Sequence, residues 1–99
     1  MFKRVVHPGG VLQDELTEIG ITAAELARQL DVPPNRLSQI IAGKRAITGD
    51  TALRLGHWFG MDPQFWLNLQ SQYDLALADR QAGAAIRHLP VRTPTPARG

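Results

Sequence analysis

Residues 22–43 read TAAELARQLDVPPNRLSQIIAG, and the rest of the fold follows from how this stretch is punctuated. Thr22 and Glu25 have the T-x-x-E spacing of a capping box, in which each side chain satisfies a free N–H of the first helical turn. A helix is therefore expected over residues 23–30, with Leu26, Ala27 and Leu30 on its inner face. Ala27 is small enough to let a second helix lie close. Asp31-Val32-Pro33 forms the turn, with Val32 plugging the space beneath it. Proline donates no backbone hydrogen bond, so Pro33 and Pro34 belong at or before a helix start. The next helix is expected over 34–42, stopped by Gly43. Its apolar positions Leu37, Ile40 and Ile41 are spaced three and four apart, which leaves Asn35, Arg36, Ser38 and Gln39 facing outward.

Two short helices joined this way have the form of a helix-turn-helix, whose second helix enters a DNA major groove. The flanking sequence is helical as well. Upstream, a first helix is expected over 8–18. Pro8 suits a first helical position, Val11, Leu12, Leu16 and Ile19 make an apolar face, and Gly20 is the stop. Downstream, a fourth helix is expected over 49–59, with Thr48 as N-cap, Asp50 favouring the helix dipole and Gly60 as the stop. Gly56 inside it costs about 1 kcal/mol relative to Ala; either a neighbour packs close there or the site is suboptimal. A fifth helix begins at Pro63, capped by Asp62, and carries Phe65, Trp66, Leu69, Tyr73 and Leu77 at helical spacing. It is expected to run to about residue 79, with a break at Gly83 and a short final turn to Leu89. Val5 and Val6 are the only weak strand candidates. The fold class is all-α, with five helices. The chain divides into an N-terminal arm (1–7), a helix-turn-helix core (8–60), a helical extension suited to dimerisation (61–89) and a proline-rich tail read as disordered (90–99).

Ninety-nine residues make one domain with a modest core. No apolar run is long enough to span a membrane, and the start MFKRVVHPGG lacks the apolar core of a secretory signal. The absence of cysteine excludes disulfides and thiolate metal sites and fits a cytoplasmic location. Net charge is only +2, with a pI near 9.7, but the charge is uneven. Residues 32–49 carry Arg36, Lys44 and Arg45 with no acid, and residues 80–99 carry Arg80, Arg87, Arg92 and Arg98 with none. Local positive charge of this kind is a nucleic-acid footprint, since neutralised phosphates release counterions. Charge alone equally fits a solvated helix face.

Enzymatic chemistry finds no support. His7, His57 and His88 stand far apart with no second ligand at metal spacing, so no metal site and no cofactor are expected. His7, before Pro8, reads as a cap or turn residue. Asp14 and Glu15 are adjacent on a helix and point different ways.

The order HPGG-VL-x-x-EL, then ELARxLxVPPNRLSQIIxGKRAIT-x-DTALRL, then FG-x-x-PQFWLNLQ-x-x-YDL closely resembles the HigA-type (VapI-like) antitoxins. These belong to the Cro/C1-type, phage-repressor-like helix-turn-helix regulators. The resemblance spans His7 to Leu75. It implies a homodimeric repressor that binds double-stranded operator DNA, represses its own operon and neutralises a HigB-like mRNA-cleaving toxin. Gly49 and Gly56 stand where Pro and Ala are common in that family. The alternative is a free-standing repressor of the same fold with no toxin. A third reading is a pure interaction module that meets a basic protein through Asp14, Glu15 and Glu18.

Base-edge candidates are Asn35, Arg36 and Gln39, joined by Ser38, because Asn and Gln pair bidentately with adenine and Arg with guanine. Arg36 alternatively reaches a phosphate. Phosphate candidates are Thr22 and Ala23 at a helix start, Lys44 and Arg45 after the reading helix, and Arg28. Arg54 is expected to pair with Asp50. On the fifth helix, Phe65 and Leu69 are expected inward, with Trp66, Tyr73 and Leu77 at a dimer interface. Trp58 is ambiguous between the two.

Overall fold

The computed structural model describes residues 5–93 and is all-helical over them. The five helices are α1 (Pro8–Ile19), α2 (Ala23–Leu30), α3 (Arg36–Ile41), α4 (Gly49–Phe59) and α5 (Gln64–Arg87). Val5 and Val6 form no strand. Residues 1–4 of the expected arm and 94–99 of the expected tail lie outside the described residues; 90–93 have no regular structure and are exposed.

The helix ends are set locally. Nδ1 of His7 accepts from the Gly9 N–H at 2.9 Å, so His7 is the N-cap of α1. Thr48 caps α4, accepting from the Thr51 N–H, and Asp62 accepts from the Gln64 N–H at 2.9 Å to open α5. Gly20 and Gly60 close α1 and α4 in the left-handed conformation. Asp31, at φ 58°, does the same for α2, a conformation that Asp tolerates better than most side chains.

Leu12 and Leu16 of α1, Leu26, Ala27 and Leu30 of α2, Leu37 and Ile40 of α3, and Ala52 and Leu55 of α4 form one core with Ile47 and Trp66. Val32 packs against it from the turn, as expected of a plug. Trp66 lies in α5, so the core crosses the expected boundary at 60/61. The first turns of α5 complete the helix-turn-helix unit instead of standing apart from it.

Two close approaches fix how the helices meet. The Gly9 backbone rests directly on that of α3: a Cβ there would lie 2.8 Å from the Ile40 carbonyl carbon and from the Ile41 Cα. A Cβ on Gly56 would lie 2.8 Å from the Met61 carbonyl oxygen and 3.0 Å from Pro63. Of the two readings of Gly56, close packing is the one observed.

Three expectations are corrected. α3 begins at Arg36, not residue 34, because Pro33 to Arg36 closes as a separate turn through the Arg36 N–H and the Pro33 carbonyl. α5 runs unbroken through Gly83 to Arg87. Gly83 does not take the left-handed conformation that stops α1 and α4, and Arg87 reaches back over it to Asp79, with Nη1 and Oδ1 2.7 Å apart. A Cβ at 83 would meet both of those side chains. Finally, the buried positions of α5 are Trp66, Gln70, Ala76 and Gly83. Trp66, expected at an interface, is 0% exposed, and Phe65, expected inward, is 40% exposed. The two are adjacent, and the close docking of α4 at Gly56 on Pro63 sets the rotation of α5 that turns the larger ring in. Tyr73 and Leu77 are half-buried, and Tyr73 lies edge-on to the His7 ring at 4.6 Å.

Candidate nucleic-acid interface

α2 supplies the first part of the surface. Thr22 Oγ1 accepts from the Glu25 N–H at 3.1 Å. The other half of the capping box is not made. The Glu25 carboxylate instead takes Arg28 and the Gln29 amide, at 3.1 Å from Arg28 Nε and 2.9 Å from Gln29 Nε2. These donors, Arg28 foremost, hold the Glu25 carboxyl down at about 2. The Arg28 side chain is 72% exposed, so a phosphate would compete with Glu25 for it. Thr22 is exposed and Ala23 half-buried at the start of this helix.

α3 presents Asn35 and Ser38 to solvent and Gln39 at half exposure. Asn35 makes no side-chain capping bond. Ser38 Oγ donates to the Asn35 carbonyl at 3.0 Å, which leaves the hydroxyl oxygen outward as an acceptor. Gln39 Oε1 accepts from Arg45 Nε at 3.0 Å. Its amide nitrogen is left to donate, which suits the major-groove acceptors of guanine, adenine or thymine. Arg36 is placed differently. Its guanidinium is 22% exposed and turns towards Asp50 of α4, with Nη1 3.7 Å from Oδ2, while Nε is buried without a partner. Of the four outward candidates, the structure thus brings Asn35, Ser38 and Gln39 together on one surface and draws Arg36 to its edge.

The loop after α3 is held at both ends. At its start, Gly43 takes φ 76°, with the Gly43 N–H on the Ile40 carbonyl at 3.0 Å and the Lys44 N–H on the Gln39 carbonyl at 2.8 Å. That double closure is a Schellman motif, and glycine enters its left-handed position without steric penalty. At its end, the Ile47 side chain is buried in the core and the Ile47 N–H donates to Gln70 Oε1 of α5 at 2.8 Å. Lys44 and Arg45 lie between these anchors, exposed and next to the α3 surface.

Arg54 makes the expected pair with Asp50 at 3.0 Å. It also donates through Nη1 to the Leu30 carbonyl at 2.7 Å, tying α4 to the end of α2. No local pattern announces that second contact, because the partners are 24 residues apart. Trp58 is half-buried and donates from Nε1 to Gln29 Oε1 at 2.8 Å.

His7 is the cap expected of a residue before Pro8, and it makes further contacts. Its ring caps α1, meets Tyr73 of α5 and lies near Gly43. Capping requires an unprotonated Nδ1, and burial pushes the imidazole below its ordinary value of 6.5, partly opposed by the Asp74 carboxylate. An unfolded chain then takes up the proton at a higher pH than the folded one. Stability from this group is complete above pH 6.5 and declines as pH falls through 6.5 towards the folded value. Urea midpoints taken from pH 7.5 down to 5 should show the decline, at no more than about 1.4 kcal/mol per pH unit, the equivalent of one proton. A His7→Asn variant, which caps without titrating, should remove that portion of the slope.

Comparison with known proteins agrees with this geometry. A helix-turn-helix family profile matches residues 12–66. Virulence-associated protein I of Dichelobacter nodosus is 43% identical over 89 residues, covering 89% of this chain and 82% of the relative. Among solved structures, an addiction module antidote protein of the HigA family from Coxiella burnetii superposes with a TM-score of 0.88 at 43% identity. The match covers 91% of this chain and 99% of that one. The Pseudomonas aeruginosa antitoxin HigA, solved with the higBA promoter, superposes with a TM-score of 0.83 at 45% identity, covering 86% and 94%. Among the described residues no helix is long and apolar enough to cross a membrane. With its capped α2, its turn at Asp31 to Pro33 and its short outward-facing α3, the chain belongs to the helix-turn-helix family, in the HigA branch.

Proposed function

We propose that the chain is a cytoplasmic, homodimeric antitoxin that binds operator DNA, represses its own operon and neutralises a HigB-like toxin. It acts by binding and not by catalysis. The observation that carries the reading is the likeness, at 45% identity, to a HigA protein that stands on its own promoter. The surface of α3 and the loop after it supports the same reading. Asn35, Ser38 and Gln39 would meet base edges, with Arg36 at the edge of the face. Thr22, Ala23, Lys44, Arg45 and Arg28 would meet phosphates, which set register without reading sequence. Two copies would place their α3 helices about 34 Å apart on one face of the duplex. For the contact between copies, Leu75 and Ile86 are exposed and share one face of α5, their spacing being close to a multiple of the helical repeat. Leu77 lies on another side of that helix.

The test is a pull-down from cells combined with footprinting of the DNA upstream of the chain's gene. A protected palindrome and a small basic nuclease in the eluate are expected. An unprotected upstream region would end the DNA reading, and an eluate without a nuclease would leave a plain repressor. Within a protected site, Asn35→Ala should lose about 1–3 kcal/mol of affinity and relax preference at one base pair. Lys44→Ala should weaken all sequences alike and lower the salt dependence by about one unit.

A further inference from the structure

We infer that Gln70 and Asp74 of α5, which lie behind the Lys44–Arg45 loop, are positioning residues that hold this loop in its phosphate-contacting shape. The inference rests on the DNA reading above and adds residues to it. Gln70 is 93% buried and polar, an unusual choice for the inner face of a helix. Its two amide atoms are both used. Oε1 accepts from the Ile47 N–H at 2.8 Å, and Nε2 donates to Asp74 Oδ1 at 3.0 Å. The second bond fixes the amide orientation, so Asp74 determines that oxygen and not nitrogen faces the loop. A buried N–H left without an acceptor is costly, so Ile47 is pinned wherever Gln70 holds it.

The consequence falls on the residues between the anchors. The Schellman closure at Gly43 sets where the loop leaves α3, and Gln70 sets where it rejoins the core. Only Lys44, Arg45 and Ala46 lie between. With both ends fixed, Lys44 and Arg45 are presented in one arrangement, and binding phosphate entails little further ordering. Tyr73, between the two positioning residues in sequence, meets His7, which lies near Gly43. The Q-x-x-Y-D run at 70–74 is thus a brace behind the loop as well as a length of helix.

Charge complementarity supplies the test. Gln70→Glu still offers an acceptor to Ile47 but sets a second carboxylate against Asp74. Adding Asp74→Asn restores a donor facing an acceptor, with the roles of the two residues exchanged. The probe is a labelled duplex covering the DNA immediately upstream of the chain's gene, titrated with the full-length protein over a series of salt concentrations. Folding is checked by circular dichroism, and Ile47 amide exchange is followed by NMR.

Gln70→Glu should stay helical, lose about tenfold in affinity, on the order of one buried hydrogen bond, and flatten the salt dependence by about one to two units as Lys44 and Arg45 lose register. Its Ile47 amide should exchange faster. The double variant should recover affinity, salt dependence and amide protection together. An unchanged salt dependence in Gln70→Glu, or a double variant that refolds fully without recovering affinity, overturns the inference while leaving DNA binding intact. If the unsubstituted protein fails to bind the duplex, the DNA reading and this role fall together, and Ile47 protection then reports only a structural bond.

Discussion

Gly9→Ala should destabilise the chain by about 3 kcal/mol or more, whereas Gly10→Ala, one residue along the same helix, should be neutral or stabilising by up to about 1 kcal/mol. The two differ only in what a methyl group would meet. At Gly9 it meets the Ile40 carbonyl group and the Ile41 Cα, which are backbone and cannot rotate aside. At Gly10 nothing lies within 4 Å. A methyl at 9 has to push α1 away from α3, opening the contacts of Leu12 and Leu16 with the shared core. Small domains have a total stability of about 5–15 kcal/mol, so the loss is a large part of it. Urea unfolding with a shifted midpoint and an unchanged slope measures it. Equal midpoints for the two variants would show that α1 does not rest on α3 through Gly9. The same contact fixes the tilt of α3, the helix proposed to read DNA, relative to the rest of the molecule.

Trp66→Ala should cost about 3–5 kcal/mol, the range for emptying a large buried aromatic site. The ring belongs to the core to which all four preceding helices contribute, with Phe59 and Phe65 beside it at 5.8 and 5.1 Å between centroids. The diagnostic is concentration. A residue that stabilises one chain's core lowers its unfolding midpoint by the same amount at every dilution. A residue that stabilises a dimer contact loses its effect once the copies separate. The loss is therefore expected to persist in samples dilute enough to be monomeric. A loss that vanishes on dilution would return Trp66 to the interface.

That residue also marks where sequence reading reached its limit. The caps at Thr22, Thr48 and Asp62 and the stops at Gly20, Gly43 and Gly60 were legible because each is decided by atoms a few residues away. The outward set on α3 was legible for the same reason, with Leu37 and Ile40 specifying the inward side of a very short helix. Arg36 departed from that set because Asp50, on a different helix, draws it. On α5 the periodic pattern favours Phe65, Leu69, Tyr73 and Leu77, yet the buried positions include Gln70, Ala76 and Gly83. A polar, a small and a side-chain-free residue give no apolar signal. Gln70 is buried against Ile47, 23 residues away, and Gly83 beneath the Arg87 and Asp79 side chains of its own helix, and an apolar period reveals neither. Gln70 therefore carries no signal in the sequence, although its partner Ile47 closes the loop that holds Lys44 and Arg45.

The ion pair spanning Gly83 bears on the far end of α5. Residues 84–89 are all exposed within one chain, so the final turns there rest on the helix's own backbone hydrogen bonds and on the attraction between Arg87 and Asp79 through the gap that a missing side chain leaves. Attractions of this kind between partly exposed groups fade as ions accumulate in solution. The far end of this rod should therefore fray somewhat more readily as the surrounding electrolyte is raised.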